Sequence, residues 1–306
     1  MLKYTIKRVL MLIPTIIGIT LFIYLIMSFV PGDPAELLSP PEATAEEVEV
    51  LRAELGLDKP VIVKYVNYMW DILHGDFGVS WFTKQPVIDE IVNRMPYTLS
   101  LGVLSTLIAS IISIPLGTLT AVKHNTPADY IVTFLCLLFA AMPGFWLAII
   151  LQIYLSLQTG WFPAYGMGTM RHFVLPVIAV CAASVATNIR STRTWVLDVI
   201  RSDYVRTARA KGASEVVVIM KHALRNALLP IVTGFGSAFA GVLGGSVVIE
   251  TVFAIPGIST YLTSAVKTRD MPIIMGCILV ISVFVGVVNL LVDLMYSVID
   301  PRVKYE

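Results

Sequence analysis

Val9-Leu-Met-Leu-Ile-Pro-Thr-Ile-Ile-Gly-Ile-Thr-Leu-Phe-Ile-Tyr-Leu-Ile-Met-Ser-Phe-Val30 belongs to a run of 24 residues, between Arg8 and Asp33, that holds no Lys, Arg, Asp or Glu. The same silence recurs. It covers 28 residues between Arg94 and Lys123, 41 between Asp129 and Arg171, and 18 between Arg171 and Arg190. It covers 24 more between Arg225 and Glu250 and 22 between Asp270 and Asp293. About 20 helical residues cross the hydrocarbon of a bilayer. A charge at mid-bilayer costs about 2.5–3.5 kcal/mol, so each gap reads as a span. The spans predicted are 9–30, 97–122, 130–157, 173–190, 228–250 and 273–297. The fourth is the shortest and carries Pro176 in its first turn.

Composition agrees with position. Apolar residues make up 57% of the 306 and charged residues 14%, with a mean hydropathy of +0.81. A soluble chain of this length carries about a quarter charged residues. Six gaps in one chain therefore exclude a soluble core. A net charge of +1 implies no general affinity for nucleic acid. Cys136, Cys181 and Cys277 fall in apolar spans at wide spacing and read as small buried hydrophobes, not as a metal cluster or a disulfide set.

Lys3, Lys7 and Arg8 precede an apolar run too long for a cleaved signal and lacking an Ala-x-Ala site, so the first helix is read as uncleaved. Between Arg190 and Arg225 stand eight basic residues, Arg190, Arg193, Arg201, Arg206, Arg209, Lys211, Lys221 and Arg225, against three acidic ones. Between Pro31 and Met95 the balance is five basic to twelve acidic. Positive charge marks the cytoplasmic side. This places 31–96 outside, the loop 191–227 inside, and both termini in the cytoplasm. The expected fold is all-α and polytopic: a first span within 1–30, an external helical segment 31–96, a five-helix core 97–297, and a tail 298–306.

The external segment carries helix punctuation. Thr44-Ala-Glu-Glu47 reads as a capping box opening a helix that Gly56 can close. Asp58-Lys-Pro60 can cap a second helix. His74-Gly-Asp-Phe-Gly78 reads as a turn cluster, and Gln85-Pro86 as the start of a short helix toward the membrane. Such a subdomain either docks a soluble partner or covers helix ends.

The inner loop is the most informative stretch. Asp198 to Lys211 reads as a helix with apolar positions Val199, Ile200, Tyr204, Val205 and Ala208. Lys211 and Gly212 supply a C-terminal stop. Ser214 can cap a second short helix with Glu215 in its first turn. Its apolar positions are Val216, Ile219, Met220, Ala223 and Leu224, and Lys221, His222 and Arg225 lie toward its end. An amphipathic pair of this kind can rest on lipid or insert into a groove of a soluble partner.

Tyr204-Val-Arg-Thr-Ala-Arg-Ala-Lys-Gly-Ala-Ser-Glu215 and Lys221-His-Ala-Leu-Arg-Asn-Ala-Leu-Leu-Pro230 resemble the coupling loop of binding-protein-dependent ABC importer permeases. The form is that of the dipeptide, oligopeptide and glutathione branch. Arg206-Thr207-Ala208 stands where the general pattern has Glu-Ala-Ala, and Gly212 is kept. His222-Ala-Leu-Arg225 stands in the Ile-x-Leu-Pro place, with Leu229-Pro230 five residues later. Pro31-Gly-Asp-Pro34, Leu55-Gly-Leu-Asp-Lys-Pro60, Gly75-Asp-Phe-Gly78, Glu250-Thr-Val-Phe-Ala-Ile-Pro-Gly257, Arg269-Asp-Met-Pro272 and Asp300-Pro301-Arg302 extend the likeness over the whole chain. The resemblance implies a bacterial inner-membrane subunit that does not catalyse. It would pair with a second, similar permease, two cytoplasmic ATPase subunits or domains, and an external binding protein that delivers a peptide or peptide-like solute. Arg206, Thr207, Ala208, Arg209, Lys211, Gly212, Ser214, His222, Leu224 and Arg225 would then meet the ATPase. ATP and Mg would sit on those partners, and this chain has no Gly-x-x-x-x-Gly-Lys-Ser/Thr phosphate cradle.

In the fifth span Ser237, Gly241 and Gly245 recur every four residues and leave one helix face almost bare. That face suits close helix packing or a face lining the path or meeting the second permease. Glu250 is placed near the outer end of this span, either solvated, structural or within reach of a substrate amine. Asp293 is read as an interfacial residue. His74, His124, His172 and His222 have no ligand spacing, and no Gly-x-Ser-x-Gly or His-Glu-x-x-His occurs. An intramembrane enzyme therefore finds little support, and neither does an ion-coupled secondary transporter, which would want ionisable residues in mid-helix and an internal repeat. Import of nickel chelates or another small solute remains open within the same machinery.

Overall fold

The computed structural model describes residues 2–299, with side chains from 5 to 295, and the tail from 300 onward lies outside them. Among the described residues the regular structure is helical, with an isolated bridge between Val79 and Pro86. The chain is a multi-pass membrane protein. Five helices are long and apolar enough to cross a bilayer: Thr5–Phe29, Val87–Val122, Arg171–Ile200, Glu215–Gly245 and Met271–Met295. Pro127–Ala141 and Gly144–Gln158 together pass the same test of length and apolarity, but they meet at a bend of 94°.

Two compact units divide the chain. The first covers 98–255 and continues from 287. It holds most of α5 (Val87–Val122), then α6 (Pro127–Ala141), α7 (Gly144–Leu151) and a π-helical continuation through Gln158. After these come α8 (Arg171–Ile200), α9 (Asp203–Ala210), α10 (Glu215–Val217), a π turn Val218–Leu224, α11 (Arg225–Gly245) and α12 (Val247–Val252). Helices α6, α7, α11 and α12 all pack on α8. Cys136, Ala186 and Ile189 form a buried knot with Leu116, Val132 and Val185 around them. Small residues let the backbones close up, as helix packing in lipid requires. A Cβ on Gly117 would stand 2.7 Å from Thr192 Cβ, and one on Gly234 would stand 2.9 Å from the Trp195 ring.

The second unit covers 2–97 and 256–286. It contains α1 (Leu2–Phe29), the short α2 (Pro34–Leu38), α3 (Ala45–Glu54), α4 (Val61–Leu73), the start of α5, α13 (Ile258–Thr268) and the first part of α14 (Met271–Ile299). Val87, Ile91, Ile258, Ala265, Ile274 and Cys277 are its innermost apolar residues. Asp270 is fully buried here and accepts a hydrogen bond from Ser80 Oγ at 2.6 Å. The capping box on α3 forms as expected, with Thr44 and Glu47 bonded reciprocally.

Several boundaries differ from the sequence reading. The third span is not one straight helix over 130–157. Pro143 pushes Met142 into an extended conformation (φ −78°, ψ 124°), and the helix breaks there. The fourth span is not short. Arg190 ends the charge-free gap, but no Gly or Pro follows until Gly212, so α8 runs ten residues further to Ile200. The second helix of the inner loop is not a separate short helix either. It starts at Glu215 and continues through the π turn into α11, giving one 31-residue passage to Gly245. Gln85-Pro86 opens no short helix, because α5 begins at Val87 and continues unbroken through Pro96. Pro60, with no side-chain cap bond from Asp58, is the N-cap residue of α4.

Candidate functional site

The segment from α8 to α11 is shaped by one turn. Helix α9 ends in a Schellman motif: Gly212 N–H bonds to Arg209 O at 2.9 Å and Ala213 N–H to Ala208 O at 3.3 Å. The motif needs a left-handed residue just past the cap, and Gly212 holds φ +81° there. A Cβ added at Gly212 would meet nothing within 4 Å, so its requirement is conformational, not steric. Lys211 caps α9 at the negative end of the helix dipole. Ser214 stands at the N-cap of α10 with extended backbone, and its carbonyl receives Val218 N–H at 3.0 Å, while its side chain makes no cap bond.

A bidentate ion pair closes the turn. Arg209 Nε and Nη2 donate to the two Glu215 carboxylate oxygens at 3.0 and 2.6 Å. The Glu215 hydrogen bond, more than its charge, holds the Arg209 guanidinium above its ordinary value. Both side chains face solvent, so the pair contributes at most about 1 kcal/mol. Its effect is to orient α9 against the start of the next helix. Arg206 lies 3.8 Å from Asp203 in a fully exposed pair, and the Thr207 hydroxyl bonds back to Asp203 O.

The apolar positions of this segment split into two sets. Val205, Val218, Ala223 and Ala227 are completely buried and seat the hairpin on its own base. Tyr204, Val216, Val217 and Met220 stay exposed. Around them lie Arg206, Thr207, Arg209, Lys211, Gly212, Ser214 and Arg225 on the surface, with Ala208, His222 and Leu224 partly covered. The segment thus presents exposed apolar side chains beside a majority of basic ones, seated on a buried apolar base.

Ser237, Gly241 and Gly245 form an exposed line on α11. Cβ atoms added at Gly241 or Gly245 would meet nothing within 4 Å. Glu250 behaves differently from a residue facing outward. It is fully buried, and its Oε1 accepts from Thr98 Oγ1 at 2.8 Å and from Ser246 Oγ at 2.7 Å. In the second unit a cavity of about 550 Å³ is bordered by Arg52, Lys59, Lys64, Asp71 and Arg269. At its edge, burial raises the Asp33 carboxyl, but hydrogen bonds from Arg52 and Ala35 N–H and the Arg52 charge outweigh it and leave the group below its ordinary value.

Residues 113–305 match the family described as "Binding-protein-dependent transport system inner membrane component", and residues 1–102 match the N-terminal part of such components. The chain belongs to this family. Its relatives include the oligopeptide transport system permease protein AppB of Bacillus subtilis (strain 168), 40% identical over 316 residues with both chains fully covered. The glutathione transport system permease protein GsiC of Escherichia coli (strain K12) is 40% identical over 306 residues, again across both chains. Among solved structures, the inward-facing MetNI methionine ABC transporter shares the fold. The TM-score is 0.58 at 17% identity, covering 70% of this chain and 98% of that one. The chain is thus a permease component of an ABC importer, a translocation subunit and not a catalyst.

Within this permease, sequence reasoning missed one constellation. Asp129 is buried at 1% exposure in the first turn of α6 and pairs with Arg193 of α8. Arg193 Nε and Nη2 donate to its two oxygens, each at 2.8 Å. Asn125 N–H, Thr133 Oγ1 and His124 complete its surroundings at 3.1, 3.4 and 3.3 Å. The available signal was a lone Asp at the edge of the 41-residue gap. Its partner lies 64 residues away, beyond the reach of any local pattern.

Proposed function

We propose that this permease forms, with a second permease, the path for a di- or oligopeptide or a peptide-like solute such as glutathione. Nucleotide-driven movement of cytoplasmic ATPases would reach it through α9 and the turn at Gly212. In this reading the basic 191–227 segment and both termini face the cytoplasm of a bacterium, and the protein lies in its inner membrane. ATP and Mg are bound by the ATPases. The segment 31–86 faces outward and receives the binding protein, with the charged cavity beside Lys59 and Arg269 as part of the receiving surface.

The observation that carries the coupling reading is the split of the hairpin's apolar residues. Val205, Val218 and Ala223 anchor it from beneath, and Tyr204, Val216 and Met220 remain uncovered on its outside. A short helix with an apolar anchor set and a basic rim is the form that inserts into a groove of a partner protein. The solute class is supported by the full-length likeness to permeases of oligopeptide and glutathione systems. The bare line of Ser237, Gly241 and Gly245, exposed among the described residues, supports a face toward the second permease or the path.

The test is Gly212→Pro in the assembled importer. Proline cannot adopt φ +81° and lacks the N–H that Arg209 O receives. Uptake should stop while insertion and expression stay normal; unchanged uptake at equal expression overturns the reading. Affinity measurements on the cognate binding protein with peptides and glutathione then name the solute.

A further inference from the structure

The Asp129–Arg193 pair has a position that packing alone does not require. Arg193 sits eight residues before Arg201, where α8 ends, a distance of about 12 Å along the helix axis. Helix α9 begins two residues later, at Asp203. Asp129 sits in the first turn of α6, directly after the turn that joins it to α5. Asn125 in that turn holds φ +60° and directs its N–H to the Asp129 carboxylate at 3.1 Å. The pair therefore ties the start of α6 to the arm that carries α9.

Beside the pair, α6 and α8 meet through apolar side chains, with Cys136 and Val132 packed near Val185, Ala186 and Ile189. In lipid such contacts have no hydrophobic drive and little register specificity. A bidentate guanidinium–carboxylate pair fixes both distance and angle. Arg193 Nη2 also lies 2.8 Å from His124 Nδ1, so the guanidinium is held from two residues of the α5–α6 region at once. From this geometry we infer that Arg193 and Asp129 are positioning residues that lock α6 to the coupling arm, so that displacement of α9 is transmitted to α6 and to its break at Met142–Pro143. The inference rests on the reading of α9 as the ATPase contact.

The experiment uses the complete importer in proteoliposomes and reads solute uptake per ATP hydrolysed. Asp129→Leu with Arg193→Met replaces the pair by apolar residues of similar size, an exchange that buried pairs often tolerate without loss of stability. Arg193→Lys keeps the charge and removes the fork. Both variants should assemble and keep basal ATP hydrolysis, while uptake per ATP falls about tenfold, within the usual range of coupling between sites. Uptake per ATP within about twofold of the parent in either assembled variant overturns the inference, since it lies below that range. Failure of both variants to assemble also overturns it, because the pair would then serve folding alone. Gly212→Pro runs in parallel. If it uncouples and the pair variants do not, only the α6 lock fails; if it leaves coupling intact, the α9 contact itself is wrong.

Discussion

Gly117→Ala adds a single carbon where α5 and α8 have no room for it. The new Cβ would stand 2.7 Å from Thr192 Cβ and 2.8 Å from the backbone oxygen of Ile189, against 3.4 Å for an ordinary contact. Subtraction gives 0.7 Å of missing space at Thr192 and 0.6 Å at Ile189. The second obstacle is helix backbone and cannot rotate away, so the helices must separate. Gly241→Ala makes the same chemical change on α11, where nothing lies within 4 Å. Replacing a mid-helix Gly by Ala favours the helix by about 1 kcal/mol in both cases. Overpacking costs about 1–3 kcal/mol at Gly117 only. The isolated permease should therefore lose up to about 2 kcal/mol with Gly117→Ala and gain up to about 1 kcal/mol with Gly241→Ala. Reversible SDS titration of the purified chain, followed by Trp fluorescence and circular dichroism, measures the difference. Equal shifts for the two variants, or a stabilising Gly117→Ala, would refute the close α5–α8 approach.

Gly241→Leu should leave the isolated chain folded yet reduce co-purification of the second permease; full recovery of the pair would remove α11 from that interface. Glu250→Ala removes an acceptor of the buried Thr98 and Ser246 hydroxyls and should lower stability in the same titration by about 1–3 kcal/mol, and an unchanged stability would contradict its buried role. The Glu47 carboxyl lies below its ordinary value because Thr44 backbone and side-chain groups donate to it. A depressed carboxyl stabilises α3 above its unfolded value, and that stability is lost as pH falls through the lower folded one. Hydrogen exchange of residues 45–54, corrected for intrinsic rates, should differ between the parent and Glu47→Gln near pH 7 and converge as the medium is acidified below the usual carboxylate range. Arg209→Glu should impair uptake, and adding Glu215→Arg should restore part of it, since the swap remakes the bridge across the turn.

The legible part of this protein is the part written in neighbouring residues. The charge-free runs located the five helices long and apolar enough to cross a bilayer and the bent pair among them, because burying a charge in hydrocarbon is costly wherever it stands in the chain. Thr44 with Glu47 announced a capping box, and Gly212 announced the turn after α9, because both are settled within six residues by backbone bonding. Boundaries were less legible. Arg190 ended a gap but not a helix, since a helix satisfies its own backbone and tolerates charge once it leaves the membrane. The bend after Met142 was hidden in a run of apolar residues that Pro143 alone interrupts.

What lay beyond sequence is the choice of partners. A solitary Asp129 at a gap edge says that it must be compensated, and the tertiary structure decides that Arg193 compensates it. Glu250 at the end of a span was open to solvent, substrate or burial, and packing around Thr98 and Ser246 makes it buried. The apolar residues of the α9 hairpin were one stripe in sequence and became an anchored set and an uncovered set in space. Desolvation and backbone geometry act residue by residue and leave a trace in order and spacing. Pairing is decided by which helices pack together, and side-chain pattern alone does not encode that.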